Sequence, residues 1–126
     1  MFIDSITLAL TVNASGAATV YSAAAVSGRV LQLRYVPHAT TPLDTGADLT
    51  ITGEDTGVAI ATLGNIGTAA FTKVIRQATH GITGVALVYA STDPVAEPVY
   101  LAGERIKCVV AQGGVSMTGN LYVLIG

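Results

Sequence analysis

Leu43-Asp44-Thr45-Gly46-Ala47-Asp48-Leu49-Thr50-Ile51-Thr52-Gly53-Glu54-Asp55-Thr56-Gly57-Val58-Ala59-Ile60-Ala61-Thr62-Leu63 is the stretch that decides the fold. Leu49 and Ile51 alternate with Asp48, Thr50 and Thr52, a period of two that places apolar side chains on one face of a strand. Residues 53–57 are a strong turn signal, with glycine at both ends and Asp and Thr between. Residues 58–63 then return as a second strand, so residues 47–63 are predicted to form one hairpin. Asp44 and Gly46 shape a turn before that hairpin, and Asp55 and Gly57 shape its tip. The flanks of the two Asp-Thr-Gly triplets differ, so they mark two turns rather than an internal repeat.

The same period runs outward in both directions. Ile6, Leu8, Leu10 and Val12 alternate with Thr7, Ala9 and Thr11 as a half-buried strand. Residues 13–16 are a turn cluster, and residues 17–22 are a short strand. Ala23-Ala24-Ala25 has neither cap nor length for a helix. After Gly28, Leu31, Leu33 and Tyr35 are expected on one face, with Gln32 and Arg34 on the other. Pro37 and Pro42 exclude the intervening residues from a central strand, because each removes a ladder donor. Residues 64–67 break the chain. Residues 71–78 and 85–90 read as strands around His80-Gly81 and Gly84, and Asp93-Pro94 with Pro98 marks a surface loop. Ile106, Cys108 and Val110 alternate with Lys107 and Val109, Gly113-Gly114 is a turn, and residues 121–125 form a last strand. Nine or ten short strands with regular turns, and no sustained helical period, predict an all-β chain. The expected architecture is a single-domain antiparallel β-sandwich over residues 1–126, jelly-roll-like.

Composition narrows the function. The chain has 126 residues, enough for one domain with a sizeable core. Hydrophobic residues make up 51% and charged residues 11%, about half the usual charged share. A surface so thinly charged is expected to be covered by a partner. The net charge of −2 and the absence of a Lys/Arg cluster give no footprint for nucleic acid. Met1-Phe2-Ile3-Asp4 lacks the basic and apolar regions of a secretory signal. No apolar run nears the ~18 residues that span a bilayer, so no membrane partner is expected. The single cysteine, Cys108, allows no internal disulfide. It is expected to be a buried, inert thiol, in keeping with a reducing cytoplasm.

Residues with chemical capacity are few. His38 and His80 are far apart, each beside a turn, and neither has an acidic or cysteine neighbour at zinc-ligand spacing, so no metal site is expected. Glu54, Glu97, Glu104 and the five aspartates are scattered, and nothing singles out a catalytic pair. There is no phosphate loop or dinucleotide fingerprint, and no cofactor is expected. Tyr21, Tyr35, Tyr89, Tyr100 and Tyr122 fall in strands, where cross-strand packing is the expected role.

Leu43 to Asp48 resembles the active-site loop of retroviral-type aspartic proteases. In that reading Asp44 supplies one of two carboxylates that share a proton across a homodimer, Thr45 holds the loop and Gly46 lets the backbone approach. The resemblance covers six residues. Gly64-Asn65-Ile66-Gly67 is the one candidate for the glycine-rich flap of that family, and Leu124-Ile125-Gly126 matches its apolar-apolar-Gly segment without the helix that should follow.

A wider resemblance runs through Arg34-Tyr35-Val36, Leu43 to Glu54, Glu104-Arg105-Ile106-Lys107, Val109 to Gly114 and Gly119-Asn120-Leu121-Tyr122-Val123. In these runs the chain resembles small bacteriophage virion proteins and is similar to the cement, or decoration, proteins of tailed phages. The resemblance implies a structural protein and not an enzyme. It implies a homo-oligomer, dimer or trimer, made in the host bacterial cytoplasm and bound to the outer capsid surface. The implied partner is an HK97-like major capsid protein. A head-fibre or tail module is the neighbouring alternative, and the homodimeric protease using Asp44 is the alternative from another class. Phe2 and Ile3 are candidate partner contacts, because terminal apolar residues of a β module can add to a neighbour; they could equally cap the protein's own core.

Overall fold

The computed structural model describes residues 3–78, 83–85, 88–90, 93–94 and 96–126. Thirteen strands and no helix occur among the described residues: β1 (Asp4–Thr11), β2 (Ala18–Tyr21), β3 (Val26–Pro37), β4 (Asp48–Gly53), β5 (Ala59–Leu63), β6 (Phe71–Val74), β7 (Gln77–Ala78), β8 (Val88–Ala90), β9 (Asp93–Pro94), β10 (Ala96–Glu97), β11 (Val99–Glu104), β12 (Ile106–Ala111) and β13 (Thr118–Ile125). One sheet has the order β1-β13-β3-β11, and the other has the order β2-β12-β4-β5. Every named strand pairing is antiparallel.

The pairings β1·β13, β2·β12, β3·β11 and β4·β5 are nested. The chain is thus one long two-stranded ribbon whose tip is the turn at residues 54–57. Folding that ribbon over itself joins β13 to β3 in one sheet and β12 to β4 in the other. Eight strands connected this way make a jelly roll. The hairpin expected over residues 47–63 is its innermost turn, with Leu49 paired to Leu63 and Ile51 to Ala61.

Alternation along the strands fills the space between the sheets. Leu8 and Leu10 of β1, Leu33 and Tyr35 of β3, Leu121 and Val123 of β13 meet Leu49 and Ile51 of β4 and Ile106, Cys108 and Val110 of β12 in one buried cluster. Burying each large aliphatic side chain there is worth about 1.5–3 kcal/mol relative to leaving it exposed. Cys108 is fully buried opposite Val20 and Ile51, and burial pushes its thiol pKa up to about 12. The inert thiol expected from the sequence is what the fold contains.

Three expectations need correction. Leu31 does not share a face with Leu33 and Tyr35. The register steps from Leu124 opposite Gln32 to Ile125 opposite Val30, so a bulge skips Leu31 and hands its inward place to Val30. Residues 71–78 are two strands, because β6 pairs with β3 while β7 turns away to pair with β10. Asp93–Pro94 is not simply loop but pairs with β8, and β11, which no alternation marked out, follows Pro98. His80 lies outside the described residues. β3 is long enough to take two partners on one edge, β11 along residues 26–30 and β6 along residues 32–35.

Candidate functional site

The ribbon gathers its loops at two ends, and the sequence-marked residues divide between them. At one end are the loops at residues 12–17, 38–47, 64–67 and 112–117. Asp44 lies here, exposed, in a turn closed by the Ala47 amide donating to the Asp44 carbonyl at 3.0 Å. The Asp44 amide donates to the Gly113 carbonyl at 3.1 Å, and the Gly113 amide donates to the Gly16 carbonyl at 2.8 Å. Three turns therefore lean on one another. A Cβ on Gly114 would stand 2.8 Å from the Asp44 carboxyl carbon, and Gly114 has φ 93°, so the carboxylate packs where only glycine fits.

The rest of the motif is also held by backbone. Thr45 and Ala47 accept through their carbonyls from the amides of Gly67 and Ile66, and Asp48 Oδ1 accepts from the Asn65 amide at 3.0 Å. The segment 64–67, the flap candidate, is thus bonded directly to the Asp44 loop. Leu124 and Ile125 are the last two residues of β13, paired with β1 and β3. His38 stands exposed at the same end. Its Nδ1 accepts from the amides of Thr40 and Thr41, both at 3.2 Å, which places the ring proton on Nε2 and braces the loop before Pro42. Among the described residues, no group of three or more His, Cys, Asp or Glu side chains could hold a metal ion.

At the opposite end the two glutamates left scattered in the sequence come together. Glu104 is 4% exposed. Its carboxylate accepts from the amides of Asp55 and Thr56 at 3.1 and 3.2 Å, and from Thr56 Oγ1 at 2.9 Å. The second Asp-Thr-Gly is therefore a cradle of donors around a carboxylate from β11. Those donors, the Thr56 amide first, hold the Glu104 pKa below the usual carboxylate range against the opposing effect of burial. Gly53 has no side chain because Glu104 occupies its place: a Cβ there would lie 2.6 Å from Glu104 Cδ. Beside it, Arg105 donates through Nε and Nη2 to the two oxygens of Glu54, the Nε bond at 2.6 Å, and stacks over Tyr21 with its Cζ 4.5 Å from the ring centre. The hydrogen bond from Arg105 lowers the Glu54 pKa. This forked pair flanks the ribbon tip and ties the junction of β11 and β12 to it. Sequence reasoning missed the site because acceptor and donors lie about fifty residues apart.

The exposed face of the molecule is sparsely apolar. Ile3, Val74, Val85, Tyr100 and Val115 each expose more than half their surface. Ile3 is 59% exposed and takes no part in the buried core; Phe2 lies outside the described residues. A shallow groove of about 310 Å³ runs between β5 and β6, lined by Thr62, Leu63, Asn65, Ile66, Phe71 and Lys73. Among the described residues no helix is long and apolar enough to cross a membrane.

No family model matches the chain, and no curated protein matches it. A solved structure entitled "Crystal Structure of FLHE" aligns with 98% of this chain and 96% of its own, at 13% identity and a TM-score of 0.43. That likeness is too slight to carry an argument about function.

Proposed function

We propose that this protein is a capsid cement protein that binds the outside of a tailed-phage head and clamps neighbouring shell subunits together. The observation that carries the reading is Ile3, an apolar side chain standing 59% exposed where the chain enters β1. It offers a neighbour an apolar anchor beside the first strand, and with Phe2 it forms the proposed contact with the major capsid protein. Three features lend support. The runs from Arg34 to Val123 resemble phage decoration proteins. The surface is thinly charged, which suits lasting burial against a partner. The jelly roll is an architecture found in viral capsid proteins, an argument by analogy of fold alone.

The mechanism follows from repetition. A single contact built on one or two apolar side chains is weak. Many copies across subunit boundaries raise the cost of rupturing the lattice without any one contact being strong. Heads lacking the protein are expected to assemble but to rupture at lower temperature. Equal heat resistance with and without it would remove the clamp from the account. Localisation by electron microscopy to a fibre or the tail would favour the head-fibre or tail reading instead.

A further inference from the structure

We propose that two copies of this chain pair edge to edge through β1, forming a two-fold dimer with one continuous sheet. Among the described residues, β1 carries no partner on the side away from β13. The Val12 amide donates to the Met117 carbonyl, and the β1·β13 register continues that pairing without a shift. Antiparallel ladders alternate bonded and non-bonded pairs, so the even residues of β1 bond to β13. The N–H and C=O groups of Ser5, Thr7, Ala9 and Thr11 therefore point outward into the free edge.

This edge lacks the guards that the other edges of the sandwich carry. β2 has only four residues, β5 is paired across a register shift, β11 is bulged at Gly103, and β6 is four residues long and bears Lys73. β1 runs regularly for eight residues with no Lys, Arg or Pro. A regular, unguarded edge of this kind is a template for another strand.

The strand that fits it is its own copy. With the two-fold axis at Leu8, Ser5 meets Thr11 and Thr7 meets Ala9 of the second copy, and the mirror pairs follow. Every outward N–H and C=O of the four residues then finds a partner. On the core face Leu8 stands level with Leu8 and Ile6 with Leu10, the two leucines remaining buried within their own copy. The one charged residue of the strand, Asp4, falls opposite Val12, far from its own copy. No like charges oppose each other, and small or hydroxyl side chains line the outer face. Ile3 runs past the paired stretch toward Asn13 of the second copy and stays available. The pairing belongs to the isolated protein and stands whether or not the protein binds a shell.

The test is the solution mass of the full chain by light scattering across a dilution series, with amide exchange read residue by residue. The wild type is expected at twice the chain mass, with the Ser5, Thr7, Ala9 and Thr11 amides protected. Thr7→Pro removes an outward donor without touching the β13 ladder, and Ala9→Lys places a charge on an exposed position of the edge. Both are expected to halve the mass and release the four amides, with the circular dichroism spectrum kept. A wild-type monomer at every concentration, a trimer, fast exchange at the four amides, or a dimer that survives Ala9→Lys would each overturn the proposal. So would protection that appears only on phage shells, which would assign the edge to the capsid protein.

Discussion

Replacing Gly53 by alanine tests whether the buried Glu104 carboxylate organises the ribbon tip. Gly53 does not have a positive φ, so alanine brings no backbone strain and should suit a strand better than glycine. The whole cost is the new methyl group, placed 2.6 Å from Glu104 Cδ and 3.1 Å from Val58 Cγ1. Carbon atoms rest about 3.5–4.0 Å apart, so the overlap with the carboxyl group is roughly 1 Å. Glu104 cannot retreat without abandoning the amides of Asp55 and Thr56. Overpacking of this kind costs about 1–3 kcal/mol, and the lost turn bonds put Gly53→Ala toward the upper half of that range. For a domain of this size a loss of about 2 kcal/mol lowers Tm by roughly 6–10 °C. Urea unfolding is the cleaner assay, since a shifted midpoint with an unchanged slope isolates stability from compactness. The decisive comparison is with the Glu104→Ala background, where only the contact with Val58 remains and Gly53→Ala should cost clearly less than in the wild type. Equal costs in the two backgrounds would refute the reasoning, as would a Gly53→Ala protein as stable as the wild type.

Other perturbations have definite outcomes. Glu104 and Glu54 both titrate lower when folded than unfolded, so the stability they contribute is present above about pH 4.3 and is lost as pH falls through their folded values. Denaturation midpoints should therefore fall more steeply in acid for the wild type than for Glu104→Gln, and parallel curves would count against the carboxylate cradle. Cys108 should resist alkylation in the folded protein and react only on unfolding, because it is fully buried with its pKa near 12; labelling of native protein at the unfolded rate would contradict the described core. Asp44→Asn should fold and behave like the wild type, since backbone groups hold its loop. Acid-pH peptide cleavage by the wild type that Asp44→Asn abolishes would instead establish the protease reading.

The fold was largely legible because burial imposes a period of two. Leu8 and Leu10, Leu49 and Ile51, and Ile106, Cys108 and Val110 announced their strands and faces by that period alone. It failed where local geometry intervened. The bulge at Leu31 reverses the phase of β3, and β11 offers Leu101 and Glu104 inward around a bulge at Gly103, a pattern no alternation rule recovers. The site was far less legible. Leu43 to Asp48 drew attention as a catalytic signature, yet its hydrogen bonds run to the neighbouring turns. The tighter arrangement surrounds the second Asp-Thr-Gly, whose acceptor, Glu104, is brought back only when the ribbon closes. Long-range pairing of a carboxylate with turn amides leaves no spacing rule in the sequence.

The central claim, that this protein clamps a phage shell, is tested most directly by its stoichiometry on purified heads. Heads banded on a density gradient should carry the protein in a fixed ratio to the major capsid protein, and charged substitution at Ile3 should lower that ratio without unfolding the protein. Heads free of it, or a content that varies from one preparation to the next, would contradict the account.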